Sequence, residues 1–149
     1  MSYYRERMAP SWWMILSAGL LMPITFLVLV PLNPGVGLIM GAFFWVSSVW
    51  AMWVFSPNVI LKNRQLRAGR ATLELEFVES VEVYRGAEAR HQKGAGAHGL
   101  TWFCIRPWID PVVKIKLNDP KDPTPYWIVS SREPERLSLG ILASQREHS

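Results

Sequence analysis

The stretch of sequence that decides the fold runs from residue 8 to residue 61 and reads MAPSWWMILSAGLLMPITFLVLVPLNPGVGLIMGAFFWVSSVWAMWVFSPNVIL. It contains no Asp, Glu, Lys, Arg or His over 54 residues, although charged residues make up 19% of the whole chain. From Lys62 to Ser149 the composition reverses, with 14 basic and 11 acidic residues. The two parts are therefore suited to different solvents, which excludes a uniform soluble globule and a disordered chain.

Two helices long enough to cross a bilayer fit inside the charge-free stretch. They cover about residues 12–30 and 36–55, and 19 or 20 residues at 1.5 Å each reach about 30 Å, the thickness of the hydrocarbon layer. The connector, residues 31–35, contains two prolines and a glycine, so the helices form an antiparallel hairpin. Neither helix has the polar face that a hairpin in a soluble core would show. We expect Pro23 to kink the first helix.

The hairpin has the features of an anchor rather than of a removable signal peptide. Its first apolar stretch is 19 residues long, more than the roughly 7–15 of a signal sequence, and no small-residue cleavage site follows it. Aromatic residues cluster where the two outer ends of the hairpin meet, which is typical of the membrane–water interface. These residues are Tyr3, Tyr4, Trp12, Trp13, Trp50 and Trp53.

Basic residues flank the outer ends of the hairpin. Arg5 and Arg7 precede the first helix and four basic residues follow the second, whereas the connector has none. Because positive residues favour the cytoplasmic side, we expect both termini to be cytoplasmic. The four residues after the second helix are also candidate contacts for anionic lipid head groups, a role compatible with setting the topology. They are Lys62, Arg64, Arg67 and Arg70.

The remaining chain, residues 62–149, reads as strands followed by one helix. Apolar and polar residues alternate over 71–77 and 113–117, and a phase slip at Phe77 and Val78 indicates a bend or bulge. Further strands are expected at 59–61, 66–68, 100–105 and 126–129, with a hairpin turn over 62–65.

A helix is expected to close this second part of the chain. Ser131 is placed to cap its N-terminus, and the helix runs to about Gln145, whereas the glycine-rich residues 86–99 are expected to form a loop. The predicted fold class is α+β. A transmembrane helical hairpin in residues 1–61 precedes a small antiparallel β domain, a barrel or sandwich, in residues 62–149.

Motifs for catalysis or cofactor binding are weak. Gly94 to Gly99 match G-x-G-x-x-G, but polar residues precede them and a strand-like run follows, whereas a dinucleotide site needs a strand before and a helix after. His91, His98 and Cys104 fall short of a rigid zinc site. Cys104 lies in an apolar run, where a thiol is inert. We therefore expect no catalytic residue, no cofactor and no metal.

Turn chemistry explains the aspartates, and two features favour protein contacts. Asp110, Asp119 and Asp122 each precede a proline, which is typical of turns. The proline-rich stretch that begins with two of them is a candidate recognition segment, with Asp119, Asp122, Tyr126 and Trp127 as its residues. Bulky residues such as Trp45 suit packing on another membrane protein. The spacing of Gly37 and Gly41 serves packing inside the hairpin or, as weaker evidence, a dimer.

Several motifs together resemble one family. They are Tyr3-Tyr4-Arg5, Leu66-Arg67-Ala68-Gly69-Arg70, Arg106-Pro107-Trp108, and the Asp119-to-Trp127 stretch with Ser130-Ser131-Arg132 after it. They are similar to the actinobacterial two-span membrane proteins catalogued as a domain of unknown function, family 3093. The resemblance implies residence in the bacterial inner membrane. It does not indicate an activity, because the family has no established one. Strand order and the terminal helix also resemble, more weakly, bacterial pleckstrin-homology-like domains, and a fold alone does not give a function.

The expected function is that of an integral inner-membrane protein with a cytoplasmic, non-catalytic binding or scaffolding module. Its expected partners are the lipid bilayer and a membrane protein or a second copy of the chain. Nucleic acid is excluded because the module has a net charge of only 14 − 11 = +3. The alternatives are a module that binds anionic lipid head groups and an enzyme with an unrecognised site. The enzyme would require Arg106, Asp110 and His98 to line one pocket.

Overall fold

A computed structural model describes residues 4–147. The chain divides into two compact units. The hairpin unit comprises residues 9–56, and the β unit comprises the residues up to Met8 together with those from Pro57 onward. The domain boundary that we expected between residues 61 and 62 falls inside a strand, Asn58–Lys62. The β unit is also discontinuous in sequence, because it contains residues from both sides of the hairpin. Tyr3, which we placed in the aromatic cluster, lies outside the described residues.

The hairpin unit is made of three helices. They are α1 (Trp12–Ala18), α2 (Leu21–Leu29) and α3 (Pro34–Val54). Pro23 accounts for the break between α1 and α2, because it has no N–H to donate to the Gly19 carbonyl four residues earlier. The chain tightens there instead, with the Met22 N–H donating to the Gly19 oxygen at 3.2 Å. The expected kink is therefore present, one turn before the proline.

Asn33 starts α3. Its side-chain oxygen accepts hydrogen bonds from the N–H groups of Gly35, at 2.9 Å, and Val36, at 3.3 Å. Pro34 occupies the first helical position, where its missing N–H costs nothing. The connector predicted from residues 31–35 is thus a capped helix start.

Two glycines allow α2 and α3 to touch. A Cβ atom on Gly41 would lie 2.8 Å from the carbonyl oxygen of Met22, and one on Gly37 would lie 3.3 Å from that of Phe26. Gly37 and Gly41 are the buried residues of the three helices. The glycine spacing is therefore used for packing within the hairpin.

The hairpin hides little of its apolar surface. Both Trp12–Leu29 and Pro34–Val54 are long and apolar enough to cross a membrane. None of the first and only 11% of the apolar window of the second is buried. A core helix of a soluble protein would be mostly buried, whereas these helices leave most of their apolar surface exposed.

The β unit contains two four-stranded sheets. The first has the order β1-β2-β3-β4 and is antiparallel throughout, and the second has the order β5-β7-β8-β6. The strands are β1 (Tyr4–Arg7), β2 (Asn58–Lys62), β3 (Gln65–Ala68), β4 (Ala71–Glu74), β5 (Val78–Tyr84), β6 (Trp102–Cys104), β7 (Val112–Leu117) and β8 (Tyr126–Ser130). Across the described residues these strands form two open sheets, so the barrel alternative is wrong and the two-sheet alternative describes the fold.

Two helices complete the β unit. They are α4 (Gly86–Lys93) and α5 (Pro134–Arg146), and a short 3-10 helix (Leu75–Phe77) joins the two sheets. The 3-10 helix, together with a register shift between Val78 and Ser80, forms the predicted bend. The hairpin turn between β2 and β3 is also present, with positive φ at Asn63 and Arg64.

Four expectations for this unit need correction. β6 pairs parallel with β8, because apolar alternation does not encode strand direction. Residues 86–93 are helical rather than loop, since Ala89 packs on Val112 and Ile128. The strand over 71–77 ends at Glu74. Helix α5 begins at Pro134, and Ser131 accepts a hydrogen bond from the Glu133 N–H at 3.1 Å outside the helix.

The core lies between the two sheets and α5. Its members include Leu61, Leu66 and Leu75 near the first sheet, Val113, Ile115 and Val129 in the second, and Leu137 and Ile141 from α5. Each such side chain stabilises the fold by about 1.5–3 kcal/mol when fully buried. Gly140 brings α5 close to β2, since a Cβ there would lie 2.9 Å from the Leu61 side chain.

Replacing Gly41 should weaken the hairpin. In Gly41→Val the new side chain meets the Met22 backbone, so we expect the free energy of unfolding to fall by about 1–3 kcal/mol, as for other overpacked sites. The measurement is loss of helical circular dichroism as denaturing detergent is added to the full chain in mild micelles. Leu38→Val, at a position 53% exposed on the same helix, is the matched control and should stay within about 0.5 kcal/mol. Equal stability of the two variants would contradict the close α2–α3 contact.

Candidate functional site

The face of the first sheet turned away from the core carries a row of residues that crosses all four strands. Arg5 lies opposite Ile60, Ile60 opposite Arg67, and Arg67 opposite Thr72. In an antiparallel sheet, directly opposed residues point to the same side. Two exposed guanidinium groups therefore flank one half-buried isoleucine. We call this side of the sheet the basic face.

Further basic residues border this row. Arg7 lies opposite Asn58, and Lys62 lies opposite Gln65, on the same side of the sheet. Arg64 occupies the β2–β3 turn at φ 62°, and Arg70 follows Gly69, whose φ of +64° is favourable for glycine, in the β3–β4 turn. All four of these basic side chains are exposed. The sheet thus brings the four predicted lipid contacts together with Arg5 and Arg7.

Acidic residues offset only one corner of the basic face. Glu74 ends β4 opposite Gln65, and Glu76 follows in the 3-10 helix. Both line a shallow depression of about 200 Å³ that also includes Arg64. Salt bridges elsewhere in the β unit join Arg85 to Glu135, Lys116 to Glu79, and Arg136 to Glu133.

A partly buried polar cluster joins β1 to the residues that follow β8. The Tyr4 hydroxyl donates to the Glu6 carboxylate at 2.6 Å, and the Ser131 hydroxyl donates to the same carboxylate oxygen at 2.6 Å. The other Glu6 oxygen accepts from the Arg132 N–H at 2.8 Å. Burial raises the pKa of the Tyr4 phenol, and its hydrogen bond to Glu6 raises that pKa further. The cluster therefore fixes the strand that carries Arg5 and Arg7.

Sequence reasoning missed β1. It treated Arg5 and Arg7 as topology signals and Tyr4 as part of an aromatic cluster. The available signal was the alternation from Tyr4 to Met8, in which buried or half-buried residues alternate with exposed arginines. Four residues are too short for that pattern to be decisive.

The predicted interaction segment is only partly surface. Asp119 and Asp122 each accept a hydrogen bond from the N–H two residues later, at 2.8 and 2.9 Å, which is the expected turn chemistry. Tyr126 is half-buried. Trp127 is 5% exposed and its ring lies 4.3 Å from that of Trp102, so it belongs to the core and is unavailable to a partner.

The residues of the enzyme alternative have separate structural contacts. The Asp110 carboxylate accepts from the Gly86 N–H at 2.7 Å at the start of α4. The Arg106 guanidinium lies 5.8 Å from the centre of the Trp108 ring. His98 lies beside Tyr126, with 6.1 Å between the ring centres.

The glycine-rich motif also has a local explanation. Helix α4 precedes it and β6 follows it, which is the reverse of a dinucleotide site. A Cβ on Gly96 would meet the His91 ring, so the glycine is needed for the turn. Among residues 4–147, no group of three or more His, Cys, Asp or Glu is arranged to hold a metal ion. Burial raises the pKa of the Cys104 thiol, which disfavours the reactive thiolate.

Comparison with known proteins gives one match. Residues 3–141 match the family described as "Protein of unknown function (DUF3093)". The chain belongs to this family. Neither a curated protein nor a solved structure matches it. The DUF3093 match includes residues of both units.

Removing the Glu6 carboxylate should loosen β1. In Glu6→Ala the Tyr4 and Ser131 hydroxyls and the Arg132 N–H lose their acceptor, and we expect unfolding to become easier by about 2–3 kcal/mol. Amide hydrogen exchange of the full chain is the measurement, with faster exchange expected in β1 and β2. Arg5→Ala, on the exposed side of the same strand, serves as the control and should leave the exchange rates nearly unchanged. Unaltered protection in Glu6→Ala would show that the cluster does not hold the strand.

Proposed function

We propose that this DUF3093 protein is a two-span membrane protein whose β unit is a cytoplasmic, non-catalytic binding module. The observation that carries the proposal is the pairing of β1 with β2. These strands lie on either side of the hairpin in sequence, yet they share four opposed residue pairs, from Tyr4 with Leu61 to Arg7 with Asn58. One sheet therefore contains the chain before and after the hairpin.

This pairing supports an even number of membrane crossings. The Met8 N–H donates to the Pro57 oxygen at 3.1 Å, so the ladder continues to the two points where the chain leaves and rejoins the β unit. A folded sheet cannot be divided by a bilayer. Residues 4–8 and the β unit after residue 57 must then share one side, which two spans satisfy and a single span does not.

The charge pattern supports the cytoplasmic side. Arg5, Arg7 and the four basic residues around β2, β3 and β4 all belong to the β unit, whereas the connector near Asn33 has no charge. Positive residues near the ends of spans are retained in the cytoplasm. The implied location is the inner membrane of a bacterium, as the resemblance to an actinobacterial two-span family also suggests.

The helices themselves suit a bilayer. Two of their hydroxyl groups are bonded within the helix, since Ser17 donates to the Trp13 oxygen and Ser48 to the Phe44 oxygen, each at 2.8 Å. The Trp45 indole N–H, at 3.4 Å from the Ile15 oxygen, lies against α1 rather than pointing only outward. Internally bonded polar groups lower the cost of placing a helix in hydrocarbon.

Binding rather than catalysis is proposed because the polar residues have structural partners. Asp119 and Asp122 accept backbone hydrogen bonds at turns, and Asp110 accepts one from the Gly86 N–H at the start of α4 rather than in the turn expected from its proline. Of the features that favoured a protein partner, Trp127 lies in the core and Trp45 contacts the neighbouring helix. The exposed turns at Asp119 and Asp122 keep a membrane-protein partner as the second candidate. The likeness to pleckstrin-homology-like domains stays a proposal, supported by the two sheets and terminal helix.

Cysteine labelling tests the topology. In a Cys104→Ala background, Leu32→Cys places a thiol in the connector, at a site 82% exposed, and Lys121→Cys places one in an exposed turn of the β unit. We expect a membrane-impermeant maleimide to label residue 32 in intact spheroplasts and residue 121 only after permeabilisation.

Both thiols must react fully in detergent, which shows that a missing signal in spheroplasts reflects location rather than an unreactive thiol. Each variant is therefore a control for the other. Labelling of residue 121 from outside, or of residues 32 and 121 from the same side, would refute the proposed arrangement.

A further inference from the structure

We propose that the basic face of the first sheet docks on the anionic phospholipid head groups of the membrane that holds the hairpin. The proposal rests on the two-span function above and names the ligand of the binding module. Its central observation is the cross-strand row in which Arg5 and Arg67 flank Ile60, with Arg64 and Arg70 in the two adjoining turns.

The charge on this side of the sheet is strongly unbalanced. Six basic residues belong to the strands and turns of the first sheet, and Glu74 is the one acidic residue of those strands that faces the same way within residues 4–74. Glu6, the other acidic residue of these strands, faces inward and is bound to Ser131 and Arg132. Basic residues therefore outnumber acidic ones on the basic face, with Arg5, Arg64, Arg67 and Arg70 as its arginines in the row and the two turns.

The second sheet provides an internal comparison. Its outer side also has two lysines, but Lys116 is paired with Glu79 at 2.9 Å. Lys114 donates to the Gln92 side chain at 3.1 Å and lies 4.5 Å from the centre of the Tyr126 ring. These lysines have partners on the protein, and Glu82 lies opposite Lys114. An anionic surface would therefore be attracted to the first sheet rather than the second.

Chain connectivity limits how far the β unit can move from the ends of α1 and α3. Three residues, 55–57, separate α3 from β2, and four residues, 8–11, separate β1 from α1. At about 3.5 Å per extended residue, these connectors reach little further than the roughly 10 Å over which charges act at 0.1 M salt. Such short tethers hold the module at a high effective concentration at the membrane surface.

Several groups favour a lipid surface over a small anion or a protein. Arginines bind phosphate through paired N–H groups, and Ile60 provides an apolar centre at the level where head groups meet acyl chains. The row crosses four strands spaced about 4.8 Å apart, so it can contact several head groups of a membrane surface at once. Each basic residue near an anionic bilayer is worth about a fivefold change in association.

The test uses the full chain in lipid nanodiscs. A fluorophore is attached at Thr72→Cys, at the end of the row, in the Cys104→Ala background. Discs contain phosphatidylcholine alone or mixed with phosphatidylglycerol, each with a trace of lipid that carries a nitroxide on its head group. Quenching in the mixed disc, divided by quenching of the same protein in the neutral disc, reports docking.

We expect a quenching ratio well above one at ~0.05 M salt and a return towards one at ~0.5 M salt, because salt screens the attraction. Combining Arg64→Gln, Arg67→Gln and Arg70→Gln should weaken docking by up to about a hundredfold and abolish the increase. The matched control combines Arg90→Gln, Lys121→Gln and Arg146→Gln, three exposed positions elsewhere with the same change in net charge. The control should keep the wild-type ratio.

The outcomes separate this proposal from the topology. A chain retained in both discs with a ratio near one at low salt, or an equal loss in both triple variants, would refute head-group docking and leave the hairpin intact. A chain that is not retained in either disc would refute the two-span anchor and the docking together. Wild-type salt dependence decides the matter even if a triple variant misfolds.

Discussion

The pairing of β1 with β2 is the constraint on which the rest of the structure depends. It brings the residues before the hairpin into the same sheet as those after it, over the register from Tyr4 and Leu61 to Arg7 and Asn58. In sequence, the hairpin is therefore an insertion between β1 and β2 of the β unit. The proposed topology and the assembly of the basic face both depend on this one ladder.

A four-residue edge strand would be marginal without further contacts. The Glu6 cluster supplies them by joining β1 to the start of the segment that leads into α5. Charged acceptors in such clusters make stronger hydrogen bonds than neutral ones, and their removal leaves several donors unsatisfied. The hydrogen bonds of the Glu6 side chain therefore fix β1 as much as its backbone pairing with β2 does. This explains how a strand of four residues can hold Arg5 in a defined position.

The sequence predicts the larger features because they rest on composition and period. The charge-free stretch predicts the two apolar helices, and alternation predicts most strands of the β unit, including Val112–Leu117. It does not predict β1 or the parallel pairing of β6 and β8, because both depend on partners distant in the chain. Four of the six basic residues of the candidate site, Lys62, Arg64, Arg67 and Arg70, were predicted from the sequence. Its completion by Arg5 required the three-dimensional sheet.

The Glu6 cluster also has a consequence for synthesis. Glu6 and Arg132 are 126 positions apart in the sequence, so Glu6 is synthesised long before the backbone N–H that it binds. The Ser131 hydroxyl, which donates to the same carboxylate, is equally late. Strand β1 can therefore pair with β2 early in synthesis, but its carboxylate gains these two hydrogen bonds only after most of the β unit has been made.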